Sequence, residues 1–290
     1  MAGRFAPSPT GPLHLGSLLA ATASFLEARA RATPWRLRID DIDAPRAMPN
    51  AEAEIMRALE QHQLHWDGAV EYQSQRLSQY EQALDELASQ DRVFFCSCSR
   101  RQLRDAPIYP GTCRAVRTAR VDTAIRVEVG EAAVDFVDLV QGPQHCLLAS
   151  AVGDFIVRRR DGLIAYQLAA AVDDGSAEID HVVRGADLLD TTPRQLYLMR
   201  LLGLQPPAYA HVPIITHSDG SKLSKQTHAA PVDGKHANRN LAHCLALLGH
   251  SVPKDVAQQS CSDLLEWALA NWRLGAVPKI EAQTMPSNAI

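Results

Sequence analysis

The hydrophobic pattern changes period twice near the start of the chain. Gly3 to Ala6 reads as a short strand and Pro7 to Pro12 as a turn-rich loop. The Ala- and Leu-rich run from Leu15 to Ala32 reads as a helix stopped by Thr33-Pro34. Trp35 to Ile39 alternates apolar and charged residues, a strand pattern. Strand, loop, helix, strand predicts a βαβ unit in a parallel sheet. Such sheets bind ligands beyond the C-terminal ends of their strands, where His14 and Asp40 fall.

Further along, Asn50 to Leu64 and Leu77 to Ser89 carry helical periods; Leu77, Tyr80, Leu84 and Leu87 share one face. The periodicity breaks from Asp91 to Tyr109. Thr123 to Val129 and Val134 to Val140 read as strands of a small insert. Asp154 to Arg159 and Gly162 to Tyr166 flank a polar turn, Leu168 to Val172 is an apolar helix, and Ile179 to Val183 is a strand ending at Arg184-Gly185. Thr192-Pro193 opens a helix with a hydroxyl cap and a proline in its first turn, running to about Leu202. Asn238 to Leu248 and Ser262 to Trp272 are the last helices; Val277 to Ile290 lacks a packing pattern and is expected to be flexible. There are no internal repeats.

The chain has 290 residues, of which 46% are hydrophobic, enough for a sizeable core. No apolar run approaches the roughly 20 residues that span a bilayer, and no signal peptide is evident. A cytoplasmic location with no membrane partner is the default expectation. The net charge of -4 does not advertise a nucleic-acid partner. Local basic groups, Arg158-Arg159-Arg160 and Arg114, Arg117, Arg120, are either a basic strip or ordinary solvated surface. Three of the six cysteines, Cys96, Cys98 and Cys113, cluster, which in a reducing compartment suggests metal more than disulfides. Zinc favours such thiolates. The spacing leaves the fourth ligand open among water, Asp105 and His145. Cys146, Cys244 and Cys261 read as small buried hydrophobes, and Trp267 and Trp272 as core.

Two short segments carry the chemistry. His14-Leu15-Gly16-Ser17 sits where a loop enters a helix, and free N–H groups at a helix N-terminus suit phosphates. Gly16 permits close approach of a ligand to the backbone. Lys222-Leu223-Ser224-Lys225 follows an apolar run, Val212 to Ile215, and the turn-like Ser218-Asp219-Gly220. It brings two ammonium groups to one loop tip, suited to closing on a polyphosphate. Taken alone, the first segment is an ordinary capping turn and the second an exposed lysine-rich loop.

In this order and separation, and with Arg4 to Gly16 around the first, the segments resemble the paired nucleotide-binding motifs of class I aminoacyl-tRNA synthetases, in the glutamate-specific branch. The resemblance covers about residues 3 to 250. It implies an α/β fold: a Rossmann-type core with a small zinc-binding insert and a short C-terminal helical region. The expected division is 1–91 and 151–205 for the two catalytic halves, 92–150 for the insert, 206–276 for the lysine-motif loop and helical region, and 277–290 for a flexible tail. The implied substrate is ATP with Mg2+, bound by His14, Gly16, Ser17, Leu223, Ser224 and Lys225, with His14, Lys222 and Lys225 catalytic. Carboxylate attack on the α-phosphorus builds charge on phosphate oxygens, so fixed positive charge and positioning matter more than a general base. Arg4, Ala6, Ser8, Asp40, Tyr166 and Arg184 match positions that contact glutamate. Arg4 is assigned to the side-chain carboxylate as a two-pronged donor and Asp40 to the ammonium group. Relatives carry glutamate where this chain has Asp40, roughly 1.5 Å shorter in reach; a water or a shift of the substrate would keep the contact.

The resemblance also supplies Tyr109 as fourth ligand of one structural Zn2+ with Cys96, Cys98 and Cys113. Only about 65 residues follow Lys225, too few for an anticodon-reading region. The Lys222 to His228 segment and the cysteine–tyrosine pattern look like the short paralogues of the branch, the glutamyl-queuosine tRNA(Asp) synthetases. Those enzymes activate glutamate without tRNA and transfer it to queuosine at the wobble position of tRNA(Asp). A monomer is expected. A minimal synthetase charging a tRNA 3′ end and a non-catalytic synthetase-like binding protein are the alternatives.

Overall fold

A computed structural model describes residues 1–217, 219–221, 223 and 230–284. The first half opens with β1 (Ala2–Phe5), α1 (Leu15–Ala30), β2 (Trp35–Ile39), α2 (Ala51–Gln61), β3 (Glu71–Tyr72) and α3 (Leu77–Ser89). After it come β4 (Val93–Cys96), β5 (Ala124–Val127), β6 (Ala133–Asp138), β7 (Gly142–Leu147), α4 (Leu148–Ala151) and β8 (Phe155–Arg158). The chain then returns through α5 (Tyr166–Asp174), β9 (Ile179–Gly185), α6 (Thr192–Leu201), β10 (Ala208–Val212) and β11 (Ile214–Thr216). It closes with α7 (Ala237–Leu247), α8 (Lys254–Ala257), α9 (Cys261–Asn271) and β12 (Ala282–Thr284). Among the described residues, no helix is long and apolar enough to cross a membrane.

The main sheet has the order β10-β9-β1-β2-β3, with every pair parallel. Strand order reverses between β1 and β9, the crevice position at which open α/β sheets bind ligands. One core cluster forms where α1 packs on the sheet and on α7; Leu18, Leu19 and Leu26 are sealed there. That contact is close because β1 carries a glycine: a Cβ at Gly3 would sit 3.0 Å from the Ala28 Cβ. The fully buried Trp35 finds a partner for its indole N–H in Ser24 Oγ at 2.9 Å, which in turn donates to the Arg4 carbonyl. A second cluster unites α3, α5 and α6 with strands of the insert.

The structure departs from the sequence-based reading at several points. The aperiodic stretch from Asp91 contains a strand, β4, and Gly142–Leu147 forms β7, paired antiparallel with β6. The second sheet has the order β4-β5-β8, so it draws β8 from beyond the expected boundary at residue 150. Across the polar turn that Gly162 to Tyr166 flanks, Ile164 forms one isolated bridge to Arg158. The tail expected to be flexible from 277 packs instead: Val277 is buried, and β12 pairs parallel with β11. Gln283 also donates to the Leu247 carbonyl at 3.0 Å. The remaining tail residues, 285–290, lie outside the described residues.

Candidate active site

A cleft of about 320 Å³ opens at the switch point, a volume in the range of small-molecule sites. Its wall brings together every described residue expected for ATP or glutamate: Arg4, Ala6, Ser8, His14, Gly16, Ser17, Asp40, Tyr166, Arg184 and Leu223. The other three, Lys222, Ser224 and Lys225, lie outside the described residues. Their flanks are anchored beside His14. Leu223 is buried and its N–H donates to the Ile215 carbonyl at 2.8 Å. On the far side, Pro231 bridges His14, and the Val232 N–H donates to the Leu13 carbonyl.

His14 is the N-cap of α1. Its Nδ1 accepts from the Ser17 N–H at 3.3 Å, and its Nε2 lies 3.0 Å from the Ser17 hydroxyl. Gly16 makes room for that ring, since a Cβ there would meet it at 3.2 Å. Opposite, the loops after β1 and β2 are clamped together by Asp40 N–H to Pro7 carbonyl and Met48 N–H to Pro9 carbonyl.

Beneath the cleft runs a buried chain of charges. Arg4 donates through Nε and Nη2 to the two oxygens of Asp174, at 3.0 and 2.6 Å. Arg38 donates from Nη1 to Asp174 at 2.8 Å and from Nε to Asp40 at 2.7 Å. Asp173, next in line, accepts from Gln73 and from the Tyr80 hydroxyl. Burial alone would raise the Asp174 carboxyl, but Arg4 and Arg38 outweigh it and hold it well below the usual carboxylate range. Asp40 goes the other way: desolvation exceeds the pull of Arg38 and pushes it up to about 6. The contact to Asp174 also alters the expected use of Arg4. The Nε–Nη2 edge is already taken, so a substrate carboxylate would have to meet the outer edge formed by Nη1 and Nη2.

Arg184, at the end of β9, is held by a different set. Its Nε donates to His211 Nε2 at 3.0 Å, and its Nη2 donates to Thr192 Oγ1 and Gln195 Oε1, each at 2.8 Å. Thr192 was expected to cap α6; it lies inside the helix, and its hydroxyl accepts from Arg184 while donating to the Leu188 carbonyl. Tyr166 stands at the first turn of α5, the helix whose last turn supplies Asp173 and Asp174.

The cysteine cluster lies in the insert. The Sγ atoms of Cys96, Cys98 and Cys113 are all within 4.8 Å of one another, and Cys98 and Cys113 are 3.6 Å apart. The Tyr109 oxygen sits 3.5 Å from Cys96 Sγ and 3.9 Å from Cys98 Sγ, fixed by a 2.8 Å bond from the Cys113 N–H. Tetrahedral zinc bonds imply S···S edges of about 3.8 Å and S···O edges of about 3.5 Å. The donor set thus fits Zn2+ with four protein ligands. The Arg126 guanidinium stacks over the Tyr109 ring, 4.1 Å from its centroid, and fixes the ring's orientation. Asp105 is absent from the cluster, and His145 is on the β6–β7 hairpin, paired with Asp135.

The proposed basic strip is largely committed to internal contacts. Arg114 pairs with Asp154, Arg117 with Glu128, Arg159 with Asp43 and Asp161, and Arg160 with the Ser97 carbonyl.

The family described as class I tRNA synthetases for glutamate and glutamine (E and Q), catalytic domain, matches residues 1–255. A glutamyl-Q tRNA(Asp) synthetase of Pseudomonas aeruginosa is 47% identical over 289 residues, 99% of this chain and 98% of the relative. One from Thiobacillus denitrificans is 50% identical over 284 residues, 95% and 94% of the two chains. The chain belongs to the glutamyl-Q tRNA(Asp) synthetase family. Members of this family are ligases of the class I synthetase type, and so is this chain. Its fold is shared with a glutamate tRNA ligase from Elizabethkingia meningosepticum, solved in complex with its amino acid. The TM-score is 0.82 at 23% identity, over 99% of this chain and 67% of that one.

Sequence reasoning missed Asp173, Asp174, Asp138 and His211 in this family member. The adjacent acids did leave a signal. Two aspartates in the last turn of an apolar helix oppose the helix dipole, so something else must hold them there. Asp174→Ala would strand two buried guanidinium groups. The expected loss is about 3–5 kcal/mol of unfolding free energy in denaturant titration; an unchanged midpoint would show that Arg4 and Arg38 do not depend on it. For the metal, elemental analysis should find about one zinc per chain, lost in Cys98→Ser and Cys113→Ser, and a chelator should lower the melting temperature. Metal-free protein indifferent to chelator would refute the four-ligand reading.

Proposed function

We propose that this chain activates glutamate with ATP, without needing tRNA, and passes the glutamyl group to queuosine at the wobble position of tRNA(Asp). The observation that carries the proposal is the convergence of Arg4, His14, Asp40, Tyr166 and Arg184 on one switch-point cleft. They converge in a chain that aligns along nearly its whole length with glutamyl-Q tRNA(Asp) synthetases.

In this reading Asp40 holds the substrate ammonium, oriented by Arg38 behind it. Arg184 and the outer edge of Arg4 take the carboxylates, and Tyr166 closes the pocket. The N-terminus of α1, with Ser17 and the His14 cap, receives ATP phosphates through backbone N–H groups. A carboxylate oxygen of glutamate attacks the α-phosphorus, the bond to the bridging oxygen breaks, and pyrophosphate leaves. Lys225, two residues beyond the anchored Leu223 in sequence, offers fixed positive charge to the phosphate oxygens as that bond breaks, and Lys222 adds to that charge. Mg2+ arriving with ATP adds charge neutralisation. A hydroxyl of the queuosine cyclopentene diol then attacks the activated carbonyl, an ester forms, and AMP departs. An anticodon loop suits such a cleft because its unpaired bases can be splayed outward.

The test is transfer of radiolabelled glutamate to tRNA(Asp), with queuosine-containing and queuosine-free tRNA side by side. Labelling is expected only with queuosine and should survive periodate treatment of the 3′ end of a tRNA whose queuosine diol is shielded. Labelling that ignores queuosine and needs an intact 3′ end would establish a minimal synthetase instead. Lys225→Ala should lower glutamate-dependent pyrophosphate release by about 10²-fold or more with the fold intact.

A further inference from the structure

Two arginines line the cleft, and their charges are balanced in different ways. Arg4 touches its counter-ion, Asp174, directly. Arg184 has no carboxylate at ion-pair distance among the described residues. Its Nε–H instead points at the Nε2 of His211, whose Nδ1 lies 2.6 Å from Asp138 Oδ2. Asp138 and His211 are sealed from solvent, and Arg184 is nearly so.

The polarity of this chain is fixed by its donors. Arg184 can only donate, so His211 Nε2 offers it a lone pair and the ring proton sits on Nδ1 toward Asp138; the Thr192 hydroxyl, 3.1 Å from the same Nε2, sends its own proton to the Leu188 carbonyl. A proton on both nitrogens would set Nε2–H against the arginine N–H. Burial and the nearby Arg184 both disfavour the charged imidazole, in keeping with a neutral ring. Asp138 is held as an acceptor on its other oxygen by the N–H groups of Val140, Gln141 and His211. Since Thr192 and Gln195 occupy Nη2, the N–H groups that remain on Arg184 are those of Nη1. That atom is buried and has no hydrogen-bond partner among the described residues.

We infer that Asp138 and His211 are positioning residues: through the neutral imidazole they orient Arg184 and balance its charge from a distance, keeping Nη1 available for a carboxylate of the amino-acid substrate. The inference rests on the reading of the cleft as a glutamate site. A directly paired arginine must share its charge with its partner, whereas a relayed one keeps more of it for the ligand. Asp138 ends β6, so the insert contributes to amino-acid recognition without touching the substrate.

The experiment measures glutamate-dependent ATP–pyrophosphate exchange together with the 15N signals of the imidazole. Asp138→Asn presents an amide N–H₂ to Nδ1, drives the proton to Nε2 and turns that nitrogen against Arg184. It should raise KM for glutamate by about tenfold or more while KM for ATP stays within about twofold. His211→Gln restores an acceptor toward Arg184 and a donor toward Asp138, and should stay within about threefold of wild type. Glutamate KM unchanged in Asp138→Asn, or both KM values rising together, would overturn the inference. So would a wild-type 15N spectrum showing His211 protonated at Nε2, a readout that does not depend on any variant folding. Absence of exchange in the wild type would instead refute the glutamate reading itself, and the inference with it.

Discussion

The cleft depends on Asp174. It is a carboxylate with no access to water, placed between two guanidinium groups that themselves have almost none. Each of the three would be costly to bury alone. Together they form a chain in which Arg4 comes from β1, Arg38 from β2 and Asp174 from α5, so the ends of three elements are locked at the C-terminal edge of the sheet. The same chain continues to Asp40 and determines its state. Asp40 is held by one arginine yet desolvated enough to be poorly content with its charge, which suits a group awaiting an ammonium partner. The Asp40 side chain is drawn back onto Arg38, and the carboxylate still borders the cleft.

The remaining walls are tied to that floor. α1 presents its N-terminus to the cleft because Gly3 lets it lie close to β1 and His14 caps its first turn. The insert, although it has its own sheet and cysteine cluster, reaches the site twice. Asp138 stands behind Arg184 through His211, and Arg159 pairs with Asp43 in the loop that follows Asp40. A small sheet joined by such contacts can transmit its own order to the cleft.

The parts of this arrangement that a sequence displays are those with a period or a spacing. The opening βαβ unit, the amphipathic α3 and the cysteine cluster were legible for that reason, and the paired motifs drew His14, Gly16, Arg4, Asp40, Tyr166 and Arg184 into one candidate set. What stayed hidden was set by long-range pairing. Arg38 looked like the polar position of an alternating strand, and only the fold brings Asp174 to it across the chain. His211 and Asp138 sit in separate strands with nothing local to connect them. Residues 277–284 carry little pattern because β12 is held chiefly by backbone bonds to β11, which are indifferent to side-chain identity.

The most direct test of the role given to the buried charges is glutamate affinity as a function of pH, by calorimetry. Between pH 5 and 8 glutamate itself barely titrates, since its side-chain carboxyl has a pKa of about 4.3. Asp40 in the free protein titrates at about 6 and binds an ammonium only as the carboxylate. Affinity should therefore be level from pH 8 down to about 7 and then fall, approaching tenfold per pH unit below about 6. An affinity flat down to pH 5 would contradict the placement of the substrate ammonium on Asp40.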